Sequence, residues 1–238
     1  MDINIAENPQ ETAKAFADYM LAKHLEKGKL TIALSGGSTP KILFDLLASD
    51  YKDKFKWSDI HFYWGDERCV PPTDDDSNFK MTNEHLLSKI DIPAKNIHRI
   101  KGEEEPSEEA QRYDNLIENN LPSKEDNPVF DIILLGLGTD GHTASIFPHE
   151  IELLDSTNNC EVATHPDSGQ KRITLTGPVI NQARSVCFLV TGDSKKEKIK
   201  EIVNAEEIAK TYPAFHINPS HGELIWFIDE PAAALLTQ

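Results

Sequence analysis

Residues with apolar or half-apolar side chains recur at Ala13, Phe16, Ala17, Met20, Leu21, His24 and Leu25, in alternating steps of three and one. That spacing lines one face of a helix. Asn8 is placed to cap it, Pro9 fits its first turn, Glu11 completes a capping-box pattern, and Gly28 stands where a helix C-cap belongs. The pattern then changes period. Leu30–Leu34 is a short unbroken apolar run, followed by Ser35-Gly36-Gly37-Ser38-Thr39-Pro40 and a helical pattern over Ile42–Leu47. Ile60–Trp64 is a second run and ends at Gly65-Asp66-Glu67-Arg68; Phe130–Leu135 is a third and ends at Gly136-Leu137-Gly138-Thr139-Asp140-Gly141-His142. Ile173–Leu175, Val186–Val190 and Leu224–Ile228 complete the predicted strands.

Runs that are apolar at consecutive positions suit strands covered on both faces, as in parallel sheets. Their alternation with helical patterns predicts an α/β, Rossmann-like fold: a mainly parallel sheet flanked by helices. In such sheets, ligands gather in the crevice beyond the carboxyl ends of the strands, and the loops rich in Gly, Asp, Arg and His follow strands here. Glu103–Glu109 is acidic and broken by proline, Asn119–Pro128 is polar and turn-rich, and neither predicts an element. No internal repeat or sharp change of composition divides the chain, so a single domain over residues 1–238 is expected.

Composition narrows the function. The chain carries 24 Lys and Arg against 40 Asp and Glu, a net charge of −16, and is 39% hydrophobic. A core is affordable, and nucleic-acid binding, which needs a basic face, is not expected. An acidic protein still holds a small anion where a few cations and amides converge. No run approaches the ~20 apolar residues of a membrane span, and Met1-Asp2-Ile3-Asn4 has neither the basic nor the apolar part of a signal peptide. Three separated cysteines, Cys69, Cys160 and Cys187, support neither a disulfide framework nor a zinc site. A cytoplasmic, reducing compartment is expected.

The loops carry the chemistry. Two glycines and two hydroxyl residues between a strand and a helix, at Gly36, Gly37, Ser38 and Thr39, can cradle an anion on free amides at the helix N-terminus, although the loop is neither a Walker motif nor a dinucleotide fingerprint. Asp66, Glu67 and Arg68 set two carboxylates beside a guanidinium. His142 is of the residue type that takes and returns protons near neutrality, and Asp140 is placed to order its loop or orient its ring. Arg172 before one predicted strand and Lys195 after another are cations that can complete an anion site. His61, His98, His149, His165, His216 and His221 have no metal-ligand spacing, and the serine-hydrolase elbow is absent.

Taken together, Leu34–Pro40, Trp64–Arg68 with Ser77-Asn78, Gly136–Pro148 and Arg172–Thr176 resemble the 6-phosphogluconolactonase family over most of the chain. The resemblance implies a deaminase/isomerase-type fold and hydrolysis of 6-phospho-D-glucono-1,5-lactone, a step of the oxidative pentose phosphate pathway, with no metal or organic cofactor. The implied partner is a small sugar-phosphate lactone, and the implied assembly a monomer or small homo-oligomer. By residue, it implies His142 as general base, Asp66, Arg68 and Asp140 as active-site polar groups, Gly36, Gly37, Ser38 and Thr39 as the sugar-phosphate loop, and Arg172 and Lys195 as cationic substrate contacts. The neighbouring Lys196 leaves open which lysine reaches the phosphate, and the oxyanion falls to Arg68 or to loop amides. The related glucosamine-6-phosphate deaminases are expected to carry a tyrosine where this chain has Arg68 and a catalytic glutamate where it has Phe147.

Overall fold

The computed structural model describes residues 1–125 and 127–236. In chain order the strands are β1 (Asp2–Ala6), β2 (Leu30–Leu34), β3 (Ile60–Trp64), β4 (Asp66–Arg68), β5 (Ile97–His98), β6 (Ser123–Lys124), β7 (Asn127–Pro128), β8 (Ile132–Leu135), β9 (Cys160–Thr164), β10 (Lys171–Leu175), β11 (Ser185–Val190) and β12 (Glu223–Asp229). The α-helices are α1 (Pro9–Lys27), α2 (Ser38–Ser49), α3 (Asn78–His85), α4 (Pro106–Asn120), α5 (Gly177–Gln182), α6 (Lys196–Val203) and α7 (Glu230–Ala233).

Seven strands form the main sheet in the order β1-β12-β11-β8-β2-β3-β5, and every neighbouring pair in it is parallel. The chain steps from β2 to β3 on one side, then returns to lay β8 on the other. The loops after β2 and β8 therefore diverge and leave a crevice between them, the topological switch point at which open α/β sheets bind ligands. A separate three-stranded sheet, β4-β10-β9, is antiparallel and stands beyond β3.

The apolar runs are buried because both faces of the main sheet are covered. All of β8 and β11 is buried, and α1 packs Phe16 edge-on to Phe227 at 5.6 Å between centroids. Burial stabilises each such large apolar side chain by about 1.5–3 kcal/mol. Asn8 caps α1 by accepting from the Glu11 amide at 3.0 Å. Its stripe runs through Ala13, Phe16, Ala17, Met20 and His24, but Leu25 is 74% exposed on the far flank of the helix.

Several elements differ from the sequence reading. Asp66–Arg68 is a strand and not a loop, and Arg172 lies inside β10 and not before it. Phe130 is buried ahead of β8 but outside it. The edge strand β1, the strand β9 and the helix α4 appear where no element was expected. In α4, Tyr113 reaches the end of β3: its hydroxyl donates to the Trp64 carbonyl at 3.0 Å and accepts from the Trp64 amide at 2.8 Å. The strand that delivers Gly65 and Asp66 is thereby pinned from the side.

Candidate active site

A cleft of about 300 Å³ opens at the switch point. Gly36, Gly37, Asp66, Arg68, Asn78, Gly138, Thr139, His142, Arg172 and Lys195 are among the residues lining it. They come from the loops after β2, β8 and β11, from the face of the small sheet and, for Asn78, from the N-terminus of α3. Because side chains alternate along a strand, Asp66 and Arg68 share one face of β4, and Glu67 points the opposite way. Across the ladder, Arg172 lies directly opposite Arg68, and Thr174 opposite Asp66.

His142 forms a tight pair with a carboxylate at the edge of the cleft. Its Nδ1 lies 2.6 Å from Asp140 Oδ1, which also accepts from the His142 amide at 3.1 Å. Burial pushes the Asp140 carboxyl up, but the hydrogen bonds and charge of His142 outweigh it and hold the group down at about 2. Asp140 is therefore a carboxylate at any working pH and can only accept. In the neutral ring, Nδ1 carries the proton and Nε2 keeps a free lone pair. Gly138 allows this approach, since a Cβ there would stand 2.1 Å from Nδ1. With a folded-state pKa depressed from 3.8, Asp140 contributes stability that is in place above the ordinary carboxylate range and lost as pH falls toward 2. The stability difference between wild type and Asp140→Asn, measured by urea unfolding, is expected to shrink steadily from about pH 5 to about pH 3.

The cationic side is unusual in what it leaves unpaired. Arg68 and Arg172 are like charges on opposed positions of a ladder, an arrangement that destabilises an empty site. Arg68 Nη1 donates to the Asp76 carbonyl at 2.6 Å, and the Arg172 guanidinium lies 5.5 Å from the centre of the Phe147 ring. The Nε of each arginine is nevertheless buried without a hydrogen-bond partner among the described residues. Burial first, then the charge of Arg68, pulls the Arg172 guanidinium below its ordinary value. Burial does the same to Lys195, with Asp140 opposing it. An anion in the cleft would relieve all three cations. Lys196, in contrast, is held by Asp193 at 2.7 Å and does not line the cleft.

The loop after β2 supplies amides more than hydroxyls. Helix α2 begins with no side-chain cap and no acidic residue in its first turn, so its first-turn amides, at the positive end of the helix dipole, are open to an anion. Ser38 and Thr39 do not line the cleft with their side chains: Ser38 is exposed, and the Thr39 hydroxyl is bonded to that of Thr191 at 2.8 Å. The lining amides of Gly36, Gly37, Thr139 and Ala144 donate to no protein acceptor among the described residues.

The structure also gives roles to residues that the sequence reading had not placed in the site. Ser145 donates to Asp66 Oδ2 at 2.7 Å and is 3.5 Å from Arg172 Nη1, and so fixes both. Asn78 is buried over Gly36 and donates to the Asp66 carbonyl at 3.0 Å. Glu67 places it there. Its buried carboxylate accepts from the amides of Asn78 at 2.7 Å and Phe79 at 2.8 Å, gripping the N-terminus of α3. The sequence signal for this was the Ser77-Asn78 pair among the family motifs; in the structure the Ser77 hydroxyl caps α3 by accepting from the Lys80 amide at 3.1 Å. A Cβ on Gly36 would come within 1.9 Å of Asn78 Oδ1. Gly36→Ala is therefore expected to lower kcat/KM about tenfold, a fraction of the ~10²-fold that a full ångström of misplacement costs; steady-state kinetics beside an unchanged far-UV spectrum checks it.

A histidine oriented by a carboxylate, facing cations and free amides at the switch point of a parallel sheet, has the make-up of an enzyme site for a small anionic molecule. The chain belongs to the family of glucosamine-6-phosphate isomerases and 6-phosphogluconolactonases, whose model matches residues 5–226. It is 44% identical over 225 residues to a 6-phosphogluconolactonase of Haemophilus influenzae, covering 94% of this chain and 93% of that one. The solved 6-phosphogluconolactonase of Trypanosoma brucei is 31% identical, with a TM-score of 0.86 over 99% of this chain and 98% of that one. A monomeric glucosamine-6-phosphate deaminase has a TM-score of 0.81 over 99% of this chain and 100% of that one; at 21% identity it speaks to the fold alone, which is the deaminase/isomerase type.

Proposed function

We propose that the protein hydrolyses 6-phospho-D-glucono-1,5-lactone to 6-phosphogluconate, with His142 as the general base. It is a lactone hydrolase in sugar-phosphate metabolism, and the observation that carries the mechanism is the Asp140–His142 pair facing the cleft. A lactone is an activated ester, so the site needs water activation, a place for the oxyanion and a grip on the substrate. His142 Nε2 takes a proton from water as its oxygen attacks C1. When the tetrahedral intermediate collapses, the C1–ring-oxygen bond breaks and His142 returns the proton to that oxygen. The oxyanion is met by Arg68 and the free amides. The phosphate is held by Arg172, Lys195 and the N-terminus of α2, and this remote grip positions C1. This chemistry uses side chains and backbone alone.

Phe147 argues against ring opening of an amino sugar. It is fully buried against His142, at 4.8 Å between ring centres, where a deaminase is expected to place a carboxylate. The test is hydrolysis of freshly prepared lactone against a no-enzyme blank, beside ammonia release from glucosamine 6-phosphate. Acceleration of the first alone is the expected result; ammonia release without lactone hydrolysis would overturn the assignment.

A further inference from the structure

A second cavity lies at the opposite end of β2 and β3 from the active site. It has a volume of about 490 Å³, and its lining includes Lys29, His61, Tyr63, Lys95, His98 and Asp131. His61 and Tyr63 alternate onto one face of β3, and His98 on β5 pairs with Tyr63 across the parallel ladder. The three rings form a stack with His98 in the middle, 4.3 Å from Tyr63 and 5.3 Å from His61 between centroids. His61 Nδ1 and His98 Nε2 share a hydrogen bond at 3.0 Å. The second nitrogen of each ring and the Tyr63 hydroxyl bond to nothing among the described residues.

The charges around the stack are uncompensated. Lys29 and Lys95 form no ion pair among the described residues. Among the described residues the only carboxylate in the lining, Asp131, is already engaged by Lys27, by Arg184 at 3.3 Å and by the Thr31 amide at 2.9 Å. In a chain with a net charge of −16, this is a local excess of cations beside unfilled donors. Burial raises the Tyr63 phenol to about 12, so it remains a donor. Burial lowers His61, with Lys29 and Lys95 adding to the effect, and burial followed by His61 lowers His98 to about 4. Lysines flanking the histidine pair disfavour a metal cation and favour an anion.

We propose that this cavity is a second anion site, one that takes the tetrahedral dianion of a phosphomonoester-bearing small molecule between Lys29, Lys95 and the His61–His98–Tyr63 stack. The bound dianion stabilises the imidazolium form, so binding takes up protons and tightens as pH falls. The groups facing the histidines in this balance are Lys27, Lys29, Lys95, Tyr63 and Asp131.

Sulfate is the probe, because it stays a dianion where phosphate titrates. In the full chain, the ring resonances of His61 and His98 are followed by NMR during a sulfate titration, with His142 as the internal report on the active-site cleft. The expected result is a saturable shift of both resonances, with an apparent Kd about tenfold lower near pH 5.5 than near pH 7.5. It is lost in Lys29→Glu/Lys95→Glu, which alters only exposed side chains. Resonances of His61 and His98 that stay still while His142 moves would overturn the proposal. So would shifts reproduced by chloride at equal ionic strength, shifts unchanged in the double variant, or an affinity that does not tighten at the lower pH.

Discussion

His142→Ala is expected to lower kcat by about 10²–10⁴, the usual contribution of general acid–base catalysis. In the proposed mechanism the loss falls on kcat, because the imidazole would act on water and on the ring oxygen as the transition state forms while the phosphate is held elsewhere. The carboxylate of Asp140 is a poor substitute for the ring: His142 is what holds it at about 2, and even with the ring gone and burial pushing it up, a carboxylate is an intrinsically weaker base near neutrality than an imidazole. The measurement is initial-rate hydrolysis of the lactone by wild type and variant in the same buffer. A variant within threefold of wild type would remove His142 from the base role.

Arg172→Ala should act on the other parameter. If its guanidinium holds the phosphate equally in ground and transition states, KM rises about 10–100-fold, the loss of one or two charge-assisted hydrogen bonds, and kcat changes little. A loss in kcat with KM unchanged would move Arg172 from the phosphate to the reacting carbon. The same substitution has a second, opposite consequence. It removes one of two like charges facing each other across the β4–β10 ladder, an opposition worth roughly 0.2–1 kcal/mol. The variant's ligand-free thermal midpoint should accordingly not fall with its affinity, and phosphate should stabilise the wild type more than the variant.

The main sheet was legible because burial on both faces writes itself as consecutive apolar residues, as in Ile132–Leu135. The edge strand β1 was not, since Asp2–Ala6 has no fully buried residue and gives no such run. The strand β4 was read as part of a loop because all three of its side chains are charged. Charge is tolerated there because one face opens on the cleft and the other, through Glu67, on the N-terminal amides of α3. Helix α4 hid behind the acidic residues at its start; its buried stripe of Ala110, Tyr113 and Ile117 is short and diluted by polar neighbours. In the site, sequence picked out the residues of the post-strand loops, which carry their own Gly, Asp and His signature. It could not show that Asn78 folds over Gly36, or that Ser145 holds Asp66. Those contacts join segments 42 and 79 positions apart, and local pattern does not encode them.

Phe147 sets a barrier between the two chemistries hosted by this fold. Its ring is wedged among His142, His149, His165 and the Arg172 guanidinium. A carboxylate introduced there by Phe147→Glu would find Arg172 as its first partner and draw it away from the substrate. Phe147→Glu alone is therefore expected to weaken the cation site rather than to create a second acid–base group. Freeing the arginine first, or supplying another cation, changes that outcome, so the effect of the substitution depends on what precedes it.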